Sequence, residues 1–528
     1  MEKVFGPNKL SGTLLLSISL FIHFSNLGGL SIYALDEAKN ATAALEMWQN
    51  QEWVVPTFNG EHRFDKPPLH YYFFILAYKL FGINEFAARF FPALFGFFST
   101  WITYRFIKKN LGYQIACISL LVLSSSLHWY IQFHMAVPDP FLVFFMVAGM
   151  MLFFEWSKSG FRSKGHMLGT YACLALAVLT KGPVGLVLPS IALFAYSVLM
   201  QQLNGKRLKR IFHPLGLGLF ILIALPWYIL VAIQTNGLWL EEFFFKHNLG
   251  RFSAPMEGHG GGFWMTWIFV LAGILPFSFF LPQTIVHTLK YKTNKASTFA
   301  LVCSGTIIIF FMLAGTKLPN YTVPSYPFLS IIIGNYLYHI IQKGKIKSLL
   351  VPCILLCILV LMLPFGIYFG LSMEQDLKVP KHILWLFMIV YPFLLIIPLA
   401  YWKSNIPSIL HGVAASFMII ALVFFWFAFP IIDRQSPVSG APIEMMSKEN
   451  LYYFNNYNPA FSFYLQKPLV NLRTVKAPNQ ANGYLITRHQ HLQDVNKLGL
   501  KYEMIHSKKY LFESPTCTIL KLIPTSKE

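Results

Sequence analysis

Acidic residues are scarce in this chain: 22 Asp and Glu stand against 42 Lys and Arg in 528 residues, and charged residues of both signs make up only 12%. So little charge excludes a disordered polypeptide. The 55% of hydrophobic residues, with aromatics at 17%, exceeds what a soluble core can bury. Cysteines number six, and Cys517 alone falls outside an apolar run, so no disulfide scaffold can form in the polar part. Cys353 and Cys357 stand one helical turn apart, a spacing that suits helix packing. No GxGxxG and no P-loop occur, which removes soluble nucleotide-sugar and ATP sites. No HExxH or CxxC occurs, which removes the strong metal signatures. The formal charge of +20 is spread in small clusters between apolar runs, so it encodes topology and not a nucleic-acid surface; no nucleic-acid partner is expected.

What is present is a succession of apolar runs long enough to cross a hydrocarbon layer of about 30 Å. They lie at roughly 11–33, 88–107, 113–133, 137–156, 167–180, 182–200, 211–234, 264–285, 298–315, 324–342, 348–372, 382–402 and 408–430. They predict an α-helical polytopic membrane protein with about thirteen transmembrane helices. Residues 167–200 also admit one long helix kinked at Lys181-Gly182-Pro183. The first run follows lysines, but it is long for a signal peptide and lacks a small-x-small cleavage site, so it reads as an uncleaved anchor. Basic clusters such as Lys108/Lys109, Lys158/Arg162/Lys164, Lys206/Arg207/Lys209/Arg210 and Lys343/Lys345/Lys347 alternate with acid-bearing loops. Of the acids before residue 431, only Glu2 and Glu155 share the basic side. The positive-inside rule then places the N-terminus in the cytoplasm and, the number of spans being odd, the C-terminal part outside. Composition changes after Pro430. Alternating runs such as GYLIT and CTILKLI predict a small soluble α/β domain over 431–528, beside a membrane domain over 1–430.

Two outer loops are long, 34–87 and 235–263. The first carries Asp36-Glu37 and Asp65-Lys66-Pro67-Pro68. Acids and a lysine at a membrane face are costly beside lipid unless they bind something charged. Its ALEMWQNQEW segment predicts a short helix lying on the membrane with Leu45, Trp48 and Trp53 toward lipid, and 69–82 a second interfacial helix. The second long loop ends in Gly258, Gly260, Gly261 and Gly262, as a lid would.

Asp36 and Glu37 read alone are solvated loop acids. Asp139 in HMAVPDPFL reads alone as a helix cap. The topology puts all of them on one face with Asp65, so the carboxylates are expected to converge there. Lys66, Lys181 in TKGP and Lys317 in TKLPNY each precede a proline by one or two residues. Such lysines are rigid-turn residues snorkelling to headgroups or, as a set, a phosphate cradle. Asp65 and His247 could supply two ligands to a divalent cation such as Zn, Mg or Mn. His259, His489 and His491 are candidates for a third, and spacing does not choose among them.

The pieces DEAKNATAALEMWQNQEWVVPTFNGEHRFDKPPLHYY, MAVPDPFL, LTKGPVGLVLP, PWYILVA, FFKHNLGRF and TKLPNYTVPSYP, in this order, resemble the integral-membrane glycosyltransferases that include the protein O-mannosyltransferases and the lipid A aminoarabinose transferases. The resemblance covers the membrane part nearly end to end and the tail only around YYFNNYNPAFSFYLQKPL. It implies a GT-C type fold and an inner-membrane enzyme. That enzyme would take a sugar from a polyprenyl-phosphate carrier such as undecaprenyl phosphate. It would place the sugar, with inversion, on a periplasmic acceptor: lipid A, another envelope glycan or a protein. By the same resemblance Asp36 is the principal catalytic acid, with Glu37 beside it and Asp139 the second site acid. Lys66 touches the carrier phosphate. Beside these, the outer-face positions of Lys39, Lys181, Arg251, Lys317 and Tyr321 lead us to expect that they complete the substrate-binding set. Two departures stand out. The aminoarabinose branch has Glu where this chain has Asp65 and Arg where it has Lys39, and the shorter Asp65 weakens a metal site shared with His247. The rival class is a flippase for a lipid-linked sugar. It predicts charges along a path through the bilayer and internal repeats, and the sequence has acids at one face and no repeat.

Overall fold

A computed structural model describes residues 10–32, 34–250, 260–291, 294–373 and 383–523. Among these residues six helices are long and apolar enough to cross a membrane, or up to eight spans if each of two bent helix pairs is counted as one. Two shorter apolar helices, Ser11–His23 and Val184–Leu199, join them. At the centre lies Asp139–Lys158, apolar on every side and buried along most of its length. Its Pro138-Asp139-Pro140 start suits a first turn, where a proline lacks nothing and an acid meets the positive end of the helix dipole.

The structure revises several expected spans. The first run ends as helix at His23, because Arg89 draws the next segment into another use: it binds the carbonyls of Leu27, Leu30 and Ser31. The run 113–133 is two helices, Tyr113–Ser124 and Leu127–Phe133, bent by 70°. At the bend the Ser126 hydroxyl accepts from the Trp129 amide at 3.1 Å, an N-cap that starts the second helix. The run 264–285 is likewise Trp264–Gly273 and Phe277–Tyr291, bent by 117°. At Gly273 a Cβ would lie 1.6 Å from the Tyr326 hydroxyl, so a glycine is needed for that approach. At Lys181-Gly182-Pro183 the chain does break into two helices, Lys164–Lys181 and Val184–Leu199, with Gly182 at φ +77°.

Asp36 and Glu37 lie in the first turn of a helix, Leu35–Gln49, and not in a loop. That helix does not lie on lipid by the face expected. Leu45 is buried in the protein and Trp48 is half-buried; Trp53 is exposed, with the Lys79 ammonium 5.4 Å from its ring centre. The following turn is a hairpin, Thr57–Phe58 with Glu61–His62. Asn59 and Gly60 both have positive φ there, as a two-residue type I′ turn requires.

Residues 451–523 hold a five-stranded sheet in the order Val470–Asn471, Leu451–Phe454, Gly483–Arg488, Thr516–Ile523, Lys501–Lys509. The first two pairings are parallel and the last two antiparallel. Phe454, Leu472, Leu485, Leu520 and Leu522 fill one face. The sheet segment is tied to the first outer loop: Leu469 and Asn59 exchange two hydrogen bonds, at 2.7 and 3.0 Å. The Tyr464 hydroxyl donates to Glu85 at 2.8 Å and accepts from the Ile32 amide at 2.8 Å.

Candidate active site

The loop bearing Asp65 and Lys66 is held by groups with no charge to spare for a ligand. Glu46, on the helix Leu35–Gln49, accepts from the Thr57 hydroxyl at 2.7 Å and from the amides of Asn59 and Gly60 at 2.6 and 3.2 Å. Two indoles hold its other side: Trp227 donates to the Val54 carbonyl at 2.9 Å and Trp239 to the Arg63 carbonyl at 2.9 Å. Pro67 and Pro68 are buried and lead directly into the helix Leu69–Phe81.

Asp65 and Lys66 reach a cavity of about 410 Å³, together with Asp139, Lys181, His247 and Tyr321. Apart from Asn248 and Asn320 its remaining wall is apolar, with Leu142, Met146, Leu188, Phe310 and Phe311 among the lining residues. Val187, Phe244 and Leu249 also line it and are exposed, so the cavity opens on an apolar surface of the bundle.

Asp139 is 7% exposed; one carboxylate oxygen accepts from the Lys181 ammonium at 2.7 Å and from the Asn320 amide at 3.0 Å. The same ammonium stands 5.2 Å from the Tyr321 ring centre. A buried pair of this kind is costly to split, because the survivor is an unpaired charge. It holds Lys181 at the cavity wall. Asp65 meets His247 Nε2 at 3.2 Å through one oxygen and Arg63 Nη2 at 3.3 Å through the other. Burial would raise the Asp65 carboxyl, but Arg63, Lys66, His247 and Lys39 together hold it below its ordinary value. Lys39 is thus close enough to act on the site charge.

Asp36 is exposed and does not line the cavity. It is nonetheless near: burial first, and then the Asp65 and Asp36 carboxylates against the pull of Arg63, push the Tyr71 hydroxyl up to about 12. Glu37 turns the other way. It is 2% exposed, takes the Arg89 guanidinium in a two-pronged pair at 2.7 and 2.9 Å, and accepts from the Ala136 amide at 2.9 Å. With three carbonyls on its remaining donors, Arg89 has all five N–H groups engaged. Glu37 is therefore a structural anchor and not a site acid.

Lys317 is also displaced from its expected role. Its ammonium donates to the carbonyls of Phe311 at 3.0 Å, Met312 at 2.7 Å and Ala314, closing the end of the helix Lys295–Leu313. Three acceptors use all three donors, and Lys317 does not line the cavity. Arg251, His259 and Gly258 lie outside the described residues. His489 and His491 lie in a short turn directly after Arg488, the end of the sheet's middle strand, and do not line the cavity.

The donor set does not complete a divalent-ion site among the described residues. Among the described residues no group of three or more His, Cys, Asp or Glu converges. A zinc site takes at least three protein ligands, and here the second oxygen of Asp65 faces the Arg63 guanidinium. Arg63 is 6% exposed, and its Nε and Nη1 have no hydrogen-bond partner among the described residues. Sequence reasoning passed over Arg63 and Asn320, although both stand inside the quoted motifs, two residues before Asp65 and one before Tyr321. It also missed Arg89, whose signal was a charge inside an apolar run.

A cavity with lysines and carboxylates at one end, an apolar wall and exposed apolar residues at its rim, set in a bundle of apolar helices, defines a membrane protein with a site for an amphipathic ligand. A family model described as dolichyl-phosphate-mannose-protein mannosyltransferase matches residues 18–240. An uncharacterized protein of Aquifex aeolicus is 31% identical over 378 residues, 71% of this chain and 73% of its own. The undecaprenyl phosphate-alpha-4-amino-4-deoxy-L-arabinose arabinosyl transferase of Erwinia tasmaniensis is 30% identical over 62% of this chain. The match spans 60% of that relative's length. ArnT of Cupriavidus metallidurans, solved bound to undecaprenyl phosphate, shares the fold with a TM-score of 0.79 at 19% identity, over 96% of this chain and 97% of that one. The chain belongs to the superfamily of integral-membrane, polyprenyl-phosphate-dependent glycosyltransferases that holds the protein O-mannosyltransferases and the ArnT-type arabinosyl transferases. It is a multi-pass membrane enzyme of GT-C fold.

Proposed function

We propose that the protein transfers a sugar from a polyprenyl-phosphate carrier, of the undecaprenyl type, to a periplasmic acceptor such as lipid A, another envelope glycan or a protein. The observation that carries this is the cavity itself: Lys66 and Lys181 at an apolar chamber open to lipid match an anionic head on a hydrocarbon tail. In this reading Lys66 and Lys181, with Arg251, hold the carrier phosphate, and Tyr321 and Lys39 flank it. The acceptor oxygen attacks the anomeric carbon, and the bond from that carbon to the phosphate oxygen breaks with its electron pair leaving on the carrier. The configuration inverts. The leaving polyprenyl phosphate regains charge, which the lysines stabilise where it develops. Asp36, exposed beside the site, takes the proton when the acceptor is a hydroxyl; a phosphate acceptor needs no base. Asp139 positions Lys181, and Asp65 is neutralised by Arg63 and His247, so no step is routed through a metal.

The same reading places the enzyme in the inner membrane with about thirteen spans, the N-terminus cytoplasmic, residues 1–430 as the transferase part and 431–528 as a periplasmic α/β domain. It is supported by the charges at the helix ends: Asp139 starts a helix at the cavity and Lys158 ends it at the other end. A flippase would need charged groups along a path across the bilayer, whereas the cavity acids sit at one end of the bundle. The test is transfer by the purified protein in vesicles from a labelled polyprenyl-phosphate sugar. Label should appear on the acceptor as free carrier phosphate accumulates; label that crosses the bilayer while still on the carrier refutes the transferase.

A further inference from the structure

A second cavity of about 460 Å³ lies at the other end of the helices that build the first. The helix Lys295–Leu313 runs from beside Tyr291 to Phe310 and Phe311 at the first cavity, and its 19 residues span about 28 Å. The helix Tyr326–Lys343 returns from the first cavity to Tyr336 and His339 at the second. The second cavity therefore lies on the membrane face opposite the reaction. It is not part of the machinery described above.

Its polar lining is one-sided. Lys290, Lys345, His287, His339, Tyr291 and Ser348 line it, and among the described residues that do so none is acidic. His287 is 6% exposed, yet neither ring nitrogen has a hydrogen-bond partner among the described residues. Its ring lies 4.7 Å from that of His339, centre to centre. Tyr336 donates to Gln283 at 2.9 Å and so fixes the two helices that carry this histidine pair. Gly344, at φ +60°, turns the chain so that the Lys345 amide returns to the Ile340 carbonyl at 3.1 Å, which brings Lys345 back to the cavity. A buried imidazole whose nitrogens have no partner among the described residues stands here with two exposed ammoniums and a hydroxyl, a lining rich in donors. Val286 on the rim and Leu289 beside it are 62% and 61% exposed, as residues facing acyl chains would be.

We propose that this cavity binds a phosphate group, presented by an anionic phospholipid of that leaflet. Basic pockets between transmembrane helices suit such headgroups, and the apolar rim suits the attached chains. A free phosphate shares the same chemistry, so the experiment separates the two sources. Purified protein is mixed with equal amounts of phosphatidylglycerol and phosphatidylcholine, and retained lipid is read by native mass spectrometry. The wild type should retain phosphatidylglycerol preferentially, and Lys290→Gln/Lys345→Gln should lose about tenfold of that preference or more, as expected when charge-assisted contacts are removed. Both lysines are exposed, so the double variant will fold. Lys343→Gln/Lys347→Gln removes the same charge from the same face without touching the cavity, and should leave the preference unchanged. In lipid-free detergent, stabilisation by inorganic phosphate over chloride that the Lys290/Lys345 variant loses, without any headgroup preference, assigns the cavity to a soluble phosphate. Equal loss in both double variants, or no response to either phosphate source, overturns the proposal.

Discussion

Asp36 and Glu37 are neighbours in sequence with opposite assignments, and conservative amides at the two positions should separate cleanly. In Glu37→Gln the shape is kept and the charge is lost. Arg89 then keeps a full positive charge at a position only 3% exposed, where Glu37 was the carboxylate that accepted its hydrogen bonds. Removing one member of a buried pair costs about 3–5 kcal/mol. At 1.4 kcal/mol per factor of ten, that lowers the folded-to-unfolded ratio by more than about a hundredfold. The Ala136 amide, just before the Asp139 helix, loses a charged acceptor as well. Glu37→Gln should therefore fail as a fold: low recovery from the membrane, early thermal aggregation in detergent, and reduced transfer only in proportion to the folded fraction. The double variant Glu37→Gln/Arg89→Met, which removes both charges, should recover part of the stability. Asp36→Asn, at an exposed first-turn position, should unfold at the wild-type temperature and lose transfer to a hydroxyl acceptor. Wild-type stability in Glu37→Gln with turnover abolished would refute the structural assignment and return Glu37 to the reaction.

Four further outcomes follow from the same geometry. Lys66→Ala should raise the carrier KM by roughly ten- to a hundredfold, the loss of one charge-assisted phosphate contact, with little change in acceptor KM. Lys317→Met should lower thermal stability by freeing three helix-end carbonyls, while the carrier KM of the folded fraction stays at the wild-type value. The Asp65 carboxyl is held below its ordinary value, so its pairing stabilises the site above the ordinary carboxylate range and is lost as pH falls through the depressed value; a thermal-shift pH series should show Asp65→Asn matching wild type only at the acid end. Chelation should leave wild-type transfer unchanged, and Arg63→Ala, in which Asp65 and His247 are still just two ligands among the described residues, should gain no zinc affinity in competition with a chromophoric chelator.

The apolar runs made the membrane class, the break at Lys181-Gly182-Pro183 and the shared face of Asp65, Lys66, Asp139 and Lys181 legible, because each depends on local composition and on counting crossings. What counting could not supply was direction. Residues 36 and 37 differ by about 100° around a helix axis, so reading them as loop acids hid that one faces solvent and the other the core. Lys317 sits on the expected face with the expected neighbours, but three orphan carbonyls of its own helix end claim it before any ligand can. The two bends, at Ser124-Ser125-Ser126 and Gly273 to Pro276, were written in small and imino residues, which an average over hydropathy erases.

The residues that fix the reaction loop are themselves poor candidates for chemistry, and that division explains how the site can hold charge at a lipid face. Glu46 spends both carboxylate oxygens on the hairpin at Asn59-Gly60, and Trp227 and Trp239 spend their indole N–H groups on the backbone on either side of it. The loop is therefore set before a substrate arrives, and Lys66 and Asp65 enter the cavity from a backbone held by at least five hydrogen bonds. Asn59 carries the restraint onward to Leu469 in the sheet segment. The sheet segment and the cavity residues are thus fastened to one hairpin-bearing loop, Leu469 through Asn59 at its turn and Asp65 and Lys66 on the backbone that follows it.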